Sequence, residues 1–347
     1  MDMNSASEAQ FGAHTFGETV KAAGAGRPSV STLSLLVEQA VLSEQVGLDF
    51  FGVGEHHGPG FEVSQPDLIL AAIAGRTDRI RLGTAVGVLS VQEPLFMYER
   101  FATLDVLSGG RADLAVGPGA FADIFEMLGV DYAHRVPLYE RRLDELLELV
   151  ESHTSVGSTS PRPVIPRAVS DPMTLRVASS GTEGTMTRAA ERGLPVMVAV
   201  REGDPRRFAH AARNYFDHFR RHPHRQAEVT LHVSGFIGDS LDSARRLAWP
   251  YVREVMSTLG ARRGWDPLTK AQFDEATTLG GPMLIGPPEL VAEKIVRSMR
   301  ALGATRFALK YGIGSMPHEL LTANITRLGT QVVPMVKASL REPARSG

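Results

Sequence analysis

Residues 50–57 read Phe50-Phe51-Gly52-Val53-Gly54-Glu55-His56-His57. The first five are the apolar, glycine-punctuated kind that a buried strand uses, and three ionisable side chains follow at once. Upstream, Leu33, Leu36, Val37, Ala40 and Val41 keep the 3–4 spacing of a helix face, and Gly47 stands where a left-handed cap would close it. Downstream, Pro66 opens a second helical pattern running to Arg76. A buried strand that ends in polar residues and feeds a helix is one βα unit.

The unit recurs. Strand-like runs occupy Phe11–Phe16, Phe50–Gly54, Ile80–Leu89, Ala112–Gly117, Leu175–Ser179, Pro195–Val200, Val229–Ile237 and Thr305–Lys310. Pro94 opens a third helix to Leu107, and proline in a first turn sacrifices no hydrogen bond. Val136, Tyr139, Leu143, Leu146, Leu147 and Val150 form the apolar stripe of another. Eight such runs in 347 residues predict an α/β chain folded as a (β/α)8 TIM barrel, one domain over 1–347, ahead of a doubly wound open sheet. Two stretches break the repeat, Ser152–Asp171 and Gly260–Met283, and are read as insertions at about 152–171 and 260–283. The second is the better lid candidate.

Composition narrows the chemistry. With 37 Lys+Arg against 39 Asp+Glu the net charge is −2, which gives no basic surplus for nucleic acid or an anionic membrane. The chain has no cysteine, so thiolate nucleophiles and cysteine-based metal sites are excluded. No stretch approaches the roughly 18 uninterrupted apolar residues of a membrane span, and Met1–Gln10 is polar without a signal pattern. A soluble cytoplasmic protein is expected.

P-loop, Gly-x-Ser-x-Gly, His-Glu-x-x-His and EF-hand patterns are missing from the sequence. Gly117-Pro118-Gly119 resembles the start of a dinucleotide fingerprint, but Ala122 fills the third glycine's place, and the glycines read better as a strand turning into its loop. His218 and His222 have ligand spacing on a helix, yet Pro223 ends that helix and Arg220 and Arg221 would repel a cation. No metal is expected.

Glu55-His56-His57 falls at a strand's C-terminal end, where barrel enzymes place reacting groups, and an imidazole there can act as a general base or simply bond the rim. His14, near the end of the first run, could share that mouth. Ser179-Ser180-Gly181-Thr182-Glu183-Gly184-Thr185 closes the fifth run and opens the helix Glu183–Arg192. Its free N–H groups and hydroxyls suit a phosphate, although an ordinary Ser/Thr cap would look the same.

Four stretches in order decide between these readings: Gly47-Leu48-Asp49-Phe50-Phe51 running to Glu55-His56-His57; Arg79-Ile80-Arg81-Leu82-Gly83-Thr84-Ala85-Val86; Ala102-Thr103-Leu104-Asp105-Val106-Leu107-Ser108-Gly109-Gly110-Arg111; and Ala189-Ala190-Glu191-Arg192-Gly193-Leu194-Pro195. With Gly286-Pro287-Pro288-Glu289, Val291-Ala292-Glu293-Lys294-Ile295 and Met316-Pro317-His318-Glu319, the chain resembles the bacterial luciferase-like, flavin-dependent monooxygenases along nearly its whole length. The resemblance implies a barrel holding reduced FMN at its mouth, a C4a-peroxyflavin formed with O2, and oxygenation of a small organic substrate. It implies His56 as base with His57 beside it, and a non-proline cis peptide at Ala85-Val86 beneath the flavin. Thr182 and Thr185 would hold the phosphate with Ser180 and Gly181, and His14 and Gly117 would lie near the ring. It also implies a homodimer through Pro66–Arg76 and Pro94–Leu107, and a mobile loop at Gly260–Met283.

Departures from the family pattern shape the expectation. Pro118 replaces a phosphate-pairing arginine of the light-emitting members, which points to FMN as a diffusing substrate. Gly117 replaces their reactive cysteine, His14 an aromatic residue and Gly181 a flavin-contacting glutamate, all of which argue against light emission. Nothing in the chain looks like a nicotinamide-binding domain, so a separate flavin reductase is the expected partner. Two alternatives share the barrel: deazaflavin-dependent hydride transfer, and a catalytically silent flavin-binding subunit.

Overall fold

The computed structural model describes residues 9–20, 28–152, 164–200, 203–263 and 266–342. Its centre is a closed barrel of eight parallel strands: Gln10–Thr15, Phe50–Val53, Arg81–Thr84, Ala112–Gly117, Leu175–Ser179, Val196–Val200, Val229–Ile237 and Arg306–Lys310. Each pairs with the next, and the last closes on the first in a register running from Gln10↔Arg306 to His14↔Lys310. The (β/α)8 expectation and all eight runs hold.

Two details differ. The run Ile80–Leu89 is two strands, because the chain turns at a cis Ala85–Val86 peptide before Gly87–Val88 resumes pairing with Val116 and Gly117. A further strand, Leu284–Gly286, pairs with Gly235–Ile237 at the end of the seventh; three residues are too few to show a period.

Helices Pro28–Gln45, Pro66–Ala74, Pro94–Ser108, Arg135–Ser152, Glu183–Glu191, Ala209–Phe219, Leu241–Arg263, Pro288–Leu302 and His318–Arg327 surround the barrel. Gly109 at φ 67° and Gly303 at φ 59° close two of them in the left-handed conformation that glycine adopts without steric cost. Strand alternation sorts the side chains. Phe11, Phe51, Leu82, Leu114, Val196, Leu231 and Phe307 are wholly buried in the apolar core that the helices share, each contributing about 1.5–3 kcal/mol. Phe50, Gly52, Asp113, Ala115, Arg176, Thr230 and Arg306 instead line a cavity of about 20 Å³ inside the barrel.

Residues 153–163 of the first predicted insertion lie outside the described residues; beyond them, the Ser170 N–H and hydroxyl donate to the Asp105 carboxylate at 2.7 and 3.0 Å. Residues 264 and 265 of the second stretch also lie outside the described residues, and the rest of it is more regular than expected. Lys270–Ala276 is a helix closed by a Thr269–Gln272 capping box, with Phe273 wholly buried 5.0 Å from the Trp249 ring. Lys294 Nζ donates to the carbonyls of Thr278 and Met283 at 2.7 and 2.6 Å. The part from 270 onward is therefore anchored in the wall, and seven helical residues are too short to show periodicity in the sequence.

Candidate active site at the barrel mouth

Near the C-terminal ends of strands two to five, the residues next to one another across the barrel are small: Gly54, Ala85, Gly117 and Ala178. A Cβ added at Gly54 would lie 2.8 Å from Phe16 Cδ1, whose ring covers that end, and 3.1 Å from the Ala85 carbonyl oxygen, and one at Gly117 would lie 3.1 Å from Val86 Cγ2 and 3.3 Å from Ala178 Cβ. These contacts make a continuous ledge with the cis Ala85–Val86 peptide in its middle. Glycine in a strand leaves room for a ligand or another backbone to approach.

One end of the ledge meets a group of hydroxyls. Ser179 Oγ and Thr185 Oγ1 are 2.6 Å apart, Thr182 Oγ1 and Thr185 Oγ1 3.0 Å, and the Gly181 N–H donates to Ser179 Oγ at 3.0 Å. Thr182 is the N-cap of the helix Glu183–Glu191, and its side chain makes no capping bond. The first-turn N–H groups thus keep the positive end of the helix available to an anion. Gly181, at φ 81°, is required here, since a Cβ would stand 2.5 Å from the Phe208 ring. The Arg207 guanidinium lies 4.6 Å over that same ring.

At the other end stand the two adjacent histidines. His56 is walled by rings: Phe61 stacked at 4.2 Å and 15°, Phe16 at 4.8 Å, and Phe121 edge-on at 5.3 Å. Burial among them, with lesser pushes from Lys310 and His57, lowers its pKa to about 3. His57 behaves differently: its Nε2 bonds Glu55 Oε1 at 2.9 Å. Glu55 is itself buried, with Oε2 accepting from the Val88 N–H at 2.8 Å and from the Gln92 amide. A carboxylate on Nε2 fixes that nitrogen as the donor and leaves Nδ1 as the lone pair. His14 lies lower, its ring edge 2.5 Å from where a Gly52 Cβ would be, a point also 3.3 Å from Ala85 Cβ.

The buried histidines give stability a definite pH dependence. Burial lowers the pKa of His56 and His232 to about 3 and holds His14 well below its ordinary value. Unfolded imidazoles titrate near 6.5, so between about pH 3 and 6.5 the unfolded chain binds more protons. Stability must then rise with pH through that window and be complete above it. Urea midpoints should fall steadily from pH 7 to pH 5, and His56→Phe should flatten the slope; an unchanged slope in the variant would contradict the neutral, buried state.

A family model described as luciferase-like monooxygenase matches residues 11–306. The chain belongs to the luciferase-like monooxygenase family. Limonene 1,2-monooxygenase of Rhodococcus erythropolis is 37% identical over 117 residues, 33% of this chain and 30% of that protein. The chain spans 52% or less of the length of the first curated relatives it matches. Monooxygenase RslO1 from Streptomyces bottropensis superposes with a TM-score of 0.79 at 21% identity, over 94% of this chain and 99% of that one. The oxygenating constituent of 3,6-diketocamphane monooxygenase from the CAM plasmid of Pseudomonas putida, in complex with FMN, gives 0.72 at 17% identity, over 94% and 98%. At these identities the likeness establishes the fold.

In this luciferase-like barrel most residues anticipated from sequence fall at one mouth: His56, His57, Ala85, Val86, Gly117, Ser180, Gly181, Thr182 and Thr185 lie at or beside the C-terminal ends of strands two to five, while His14, near the end of strand one, lines the interior cavity. His218 and His222 lie elsewhere, bonding the carbonyls of Asn214 and Glu191 at 2.8 and 3.0 Å. Sequence reasoning missed Phe16, His232 and Lys310. Phe16 and Lys310 close the side of the mouth between the first and last strands, with Lys310 Nζ bonded to Glu18 and 4.8 Å over the Phe16 ring. Their signal was available, since both alternate with core-facing neighbours on recognised runs.

Proposed function

We propose that the protein is an FMN-dependent monooxygenase that receives reduced FMN from a separate flavin reductase and oxygenates a small, uncharged organic substrate. One observation carries the reading: a ledge of small residues, Ala85, Gly117 and Ala178, leads to a hydroxyl-lined helix N-terminus at the same mouth. FMN has that shape, a planar ring with a phosphate at the end of a chain. Ser179, Thr182, Thr185 and the first-turn N–H groups would hold the phosphate, with Arg207 supplying the charge that Pro118 lacks. Ala85, Val86 and Gly117 would support the ring. When bound, reduced FMN supplies the reaction with O2 that no side chain of this protein can perform.

The chain's own residues do the rest. Phe16, Phe61 and Phe121 exclude water from the His56 side of the mouth and suit an apolar substrate. His56 stays neutral there and can exchange a hydrogen bond without gaining charge. His57, oriented by Glu55, takes up a proton at Nδ1. The names of relatives containing "monooxygenase" are consistent with this chemistry.

The test supplies reduced FMN by anaerobic titration, then adds labelled O2, a flavin reductase, NADH and a panel of apolar ketones, alkenes and aldehydes. Label in the product, with NADH consumed only when reductase is present, is the expected result. Turnover that ignores O2 and requires a deazaflavin would replace the reading by hydride transfer. Flavin binding without labelled product across the panel would favour a silent subunit.

The same reading places the protein in the cytoplasm with its reductase; no helix among the described residues is long and apolar enough to cross a membrane. It also includes a homodimer. Leu68, Phe96 and Leu107 are 67%, 57% and 66% exposed, and with Leu95 and Val106 they put several apolar side chains, interspersed with Glu99, Arg100 and Thr103, on the outer face of the helices Pro66–Ala74 and Pro94–Ser108. Such a face is costly to leave in water. Light scattering should give twice the chain mass, and Leu68→Glu with Phe96→Glu should give the monomer; a monomeric parent protein would refute the pairing.

A further inference from the structure

The floor of the barrel, at the N-terminal ends of its strands, carries more positive charge than its carboxylates balance. Three guanidiniums share Asp113 and Glu228. Arg176 Nε stands 2.6 Å and Arg306 Nη2 2.9 Å from Asp113, with Arg81 Nε at 4.0 Å; Glu228 pairs with Arg176 and stands 3.7 Å from Arg306 Nη1.

The two inner arginines fare differently. Burial works against the charge of Arg176, but Asp113 and Glu228 overcome it and hold the pKa above its ordinary value. For Arg306 burial prevails, with Arg176 adding to it, and the pKa is lowered. Arg306 is 2% exposed, and its Nε and Nη1 have no hydrogen-bond partner in the protein. The face of its guanidinium lies 4.0 Å over the Phe50 ring, which compensates only part of the charge. A guanidinium does not give up its proton inside a protein, so the deficit has to be met by a ligand.

Arg306 and Arg176 both line the internal cavity of about 20 Å³, together with Asp113, Thr230 and His14. His14, whose Nδ1 is 3.0 Å from His232 Nδ1, registers the field there. Burial and His232 lower its pKa most; among the floor groups Arg306 and Arg176 lower it further, and only Asp113 opposes them. The volume admits one water-sized particle, so sulfate, phosphate and carboxylates are too large. Phe50 and the polarisable thioether of Met197 complete a wall that favours a weakly hydrated ion over a strongly hydrated one.

We propose that this cavity is a binding site for a single monatomic halide, chloride or bromide, held against Arg306. The ion brings the floor cluster to neutrality. The site is separate from the flavin ledge, and its test does not depend on any turnover.

Crystals grown in sodium bromide and measured at the bromine edge should show one anomalous peak in the cavity beside Arg306. In solution the melting temperature should rise by about 2–4 °C and level off as chloride or bromide is added, with no such rise in gluconate at the same ionic strength. Two variants should move the response in opposite directions. Arg306→Met removes the surplus charge and should abolish it, whereas Asp113→Asn removes an opposing carboxylate and should bring half-saturation to about tenfold lower chloride. Should Arg306→Met fail to fold, the bromide peak of the parent and the shift in Asp113→Asn still decide. A cavity that shows water and no anomalous peak would overturn the site. So would a peak in the crystal with chloride and gluconate indistinguishable in solution, or an unshifted half-saturation in Asp113→Asn.

Discussion

Asp113→Asn should lower the unfolding free energy by about 3–5 kcal/mol, the loss typical of removing one partner from a buried ion pair. The carboxylate is 5% exposed and takes Arg176 Nε at 2.6 Å and Arg306 Nη2 at 2.9 Å, with Arg81 Nε at 4.0 Å. Glu228 also pairs with Arg176 but stands 3.7 Å from Arg306 Nη1. Arg306 Nε and Nη1 already lack hydrogen-bond partners, so it has little left to turn to. Burial alone would raise the Asp113 pKa, yet Arg176, Arg306 and Arg81 outweigh it and hold the group well below the usual carboxylate range. A depressed folded pKa gives stability that is complete above the unfolded value near 3.9 and is lost as pH falls below it. Asparagine should therefore remove that part of the parent's acid sensitivity below about pH 4. Urea unfolding at pH 7 and pH 3.5 measures both effects. A cost under about 1 kcal/mol would mean the cluster is solvated rather than closed. Adding Arg306→Met to Asp113→Leu should recover part of the loss, because an apolar pair leaves no stranded charge.

This cluster also shows what sequence could and could not reveal. The strands were legible because their outward residues, such as Phe11, Phe51, Leu114 and Leu231, form short apolar runs closed by glycine or polar residues. The inward residues of those same runs are mixed in character, and nothing in a local pattern says that Asp113, Arg176 and Arg306 will meet. That depends on the closure of the first strand on the last. The mouth was more legible than the interior. Glu55-His56-His57 and Ser179–Thr185 each follow a strand directly, so position alone placed them at the C-terminal end. His232 is a lone histidine in the middle of a nine-residue strand, and its partner lies 218 residues away. The helix Lys270–Ala276 was hidden for another reason: its one buried anchor, Phe273, cannot make a periodic signal by itself. Local chemistry could be read, while contacts across the barrel and helices too short to show a period could not.

Gly117→Leu should weaken binding of reduced FMN by about a hundredfold or more, roughly 2.7 kcal/mol, while leaving the barrel folded. The glycine's backbone lies in the ordinary strand region, so a side chain brings no conformational penalty. A Cβ there would sit 3.1 Å from Val86 Cγ2 and 3.3 Å from Ala178 Cβ, contacts that neighbours relieve by moving a few tenths of an ångström. The cost to stability should stay within the 1–3 kcal/mol range usual for overpacking. The remaining carbons of leucine have nowhere to go except over the ledge, where the flavin ring would rest. Thr185→Val at the other end removes one hydroxyl from the group around Ser179 and Thr182, and should cost only about tenfold, the worth of a single hydrogen bond. The contrast between the two is the informative result. Occupying a surface and removing one of several donors differ by an order of magnitude only if the ring lies on Gly117 and the phosphate on Thr185. Anaerobic titration of each variant, with its melting temperature beside it, reads both quantities. A folded Gly117→Leu protein with parental affinity would move the flavin off the ledge, and with it the assignment of Ala85 and Val86 as its support.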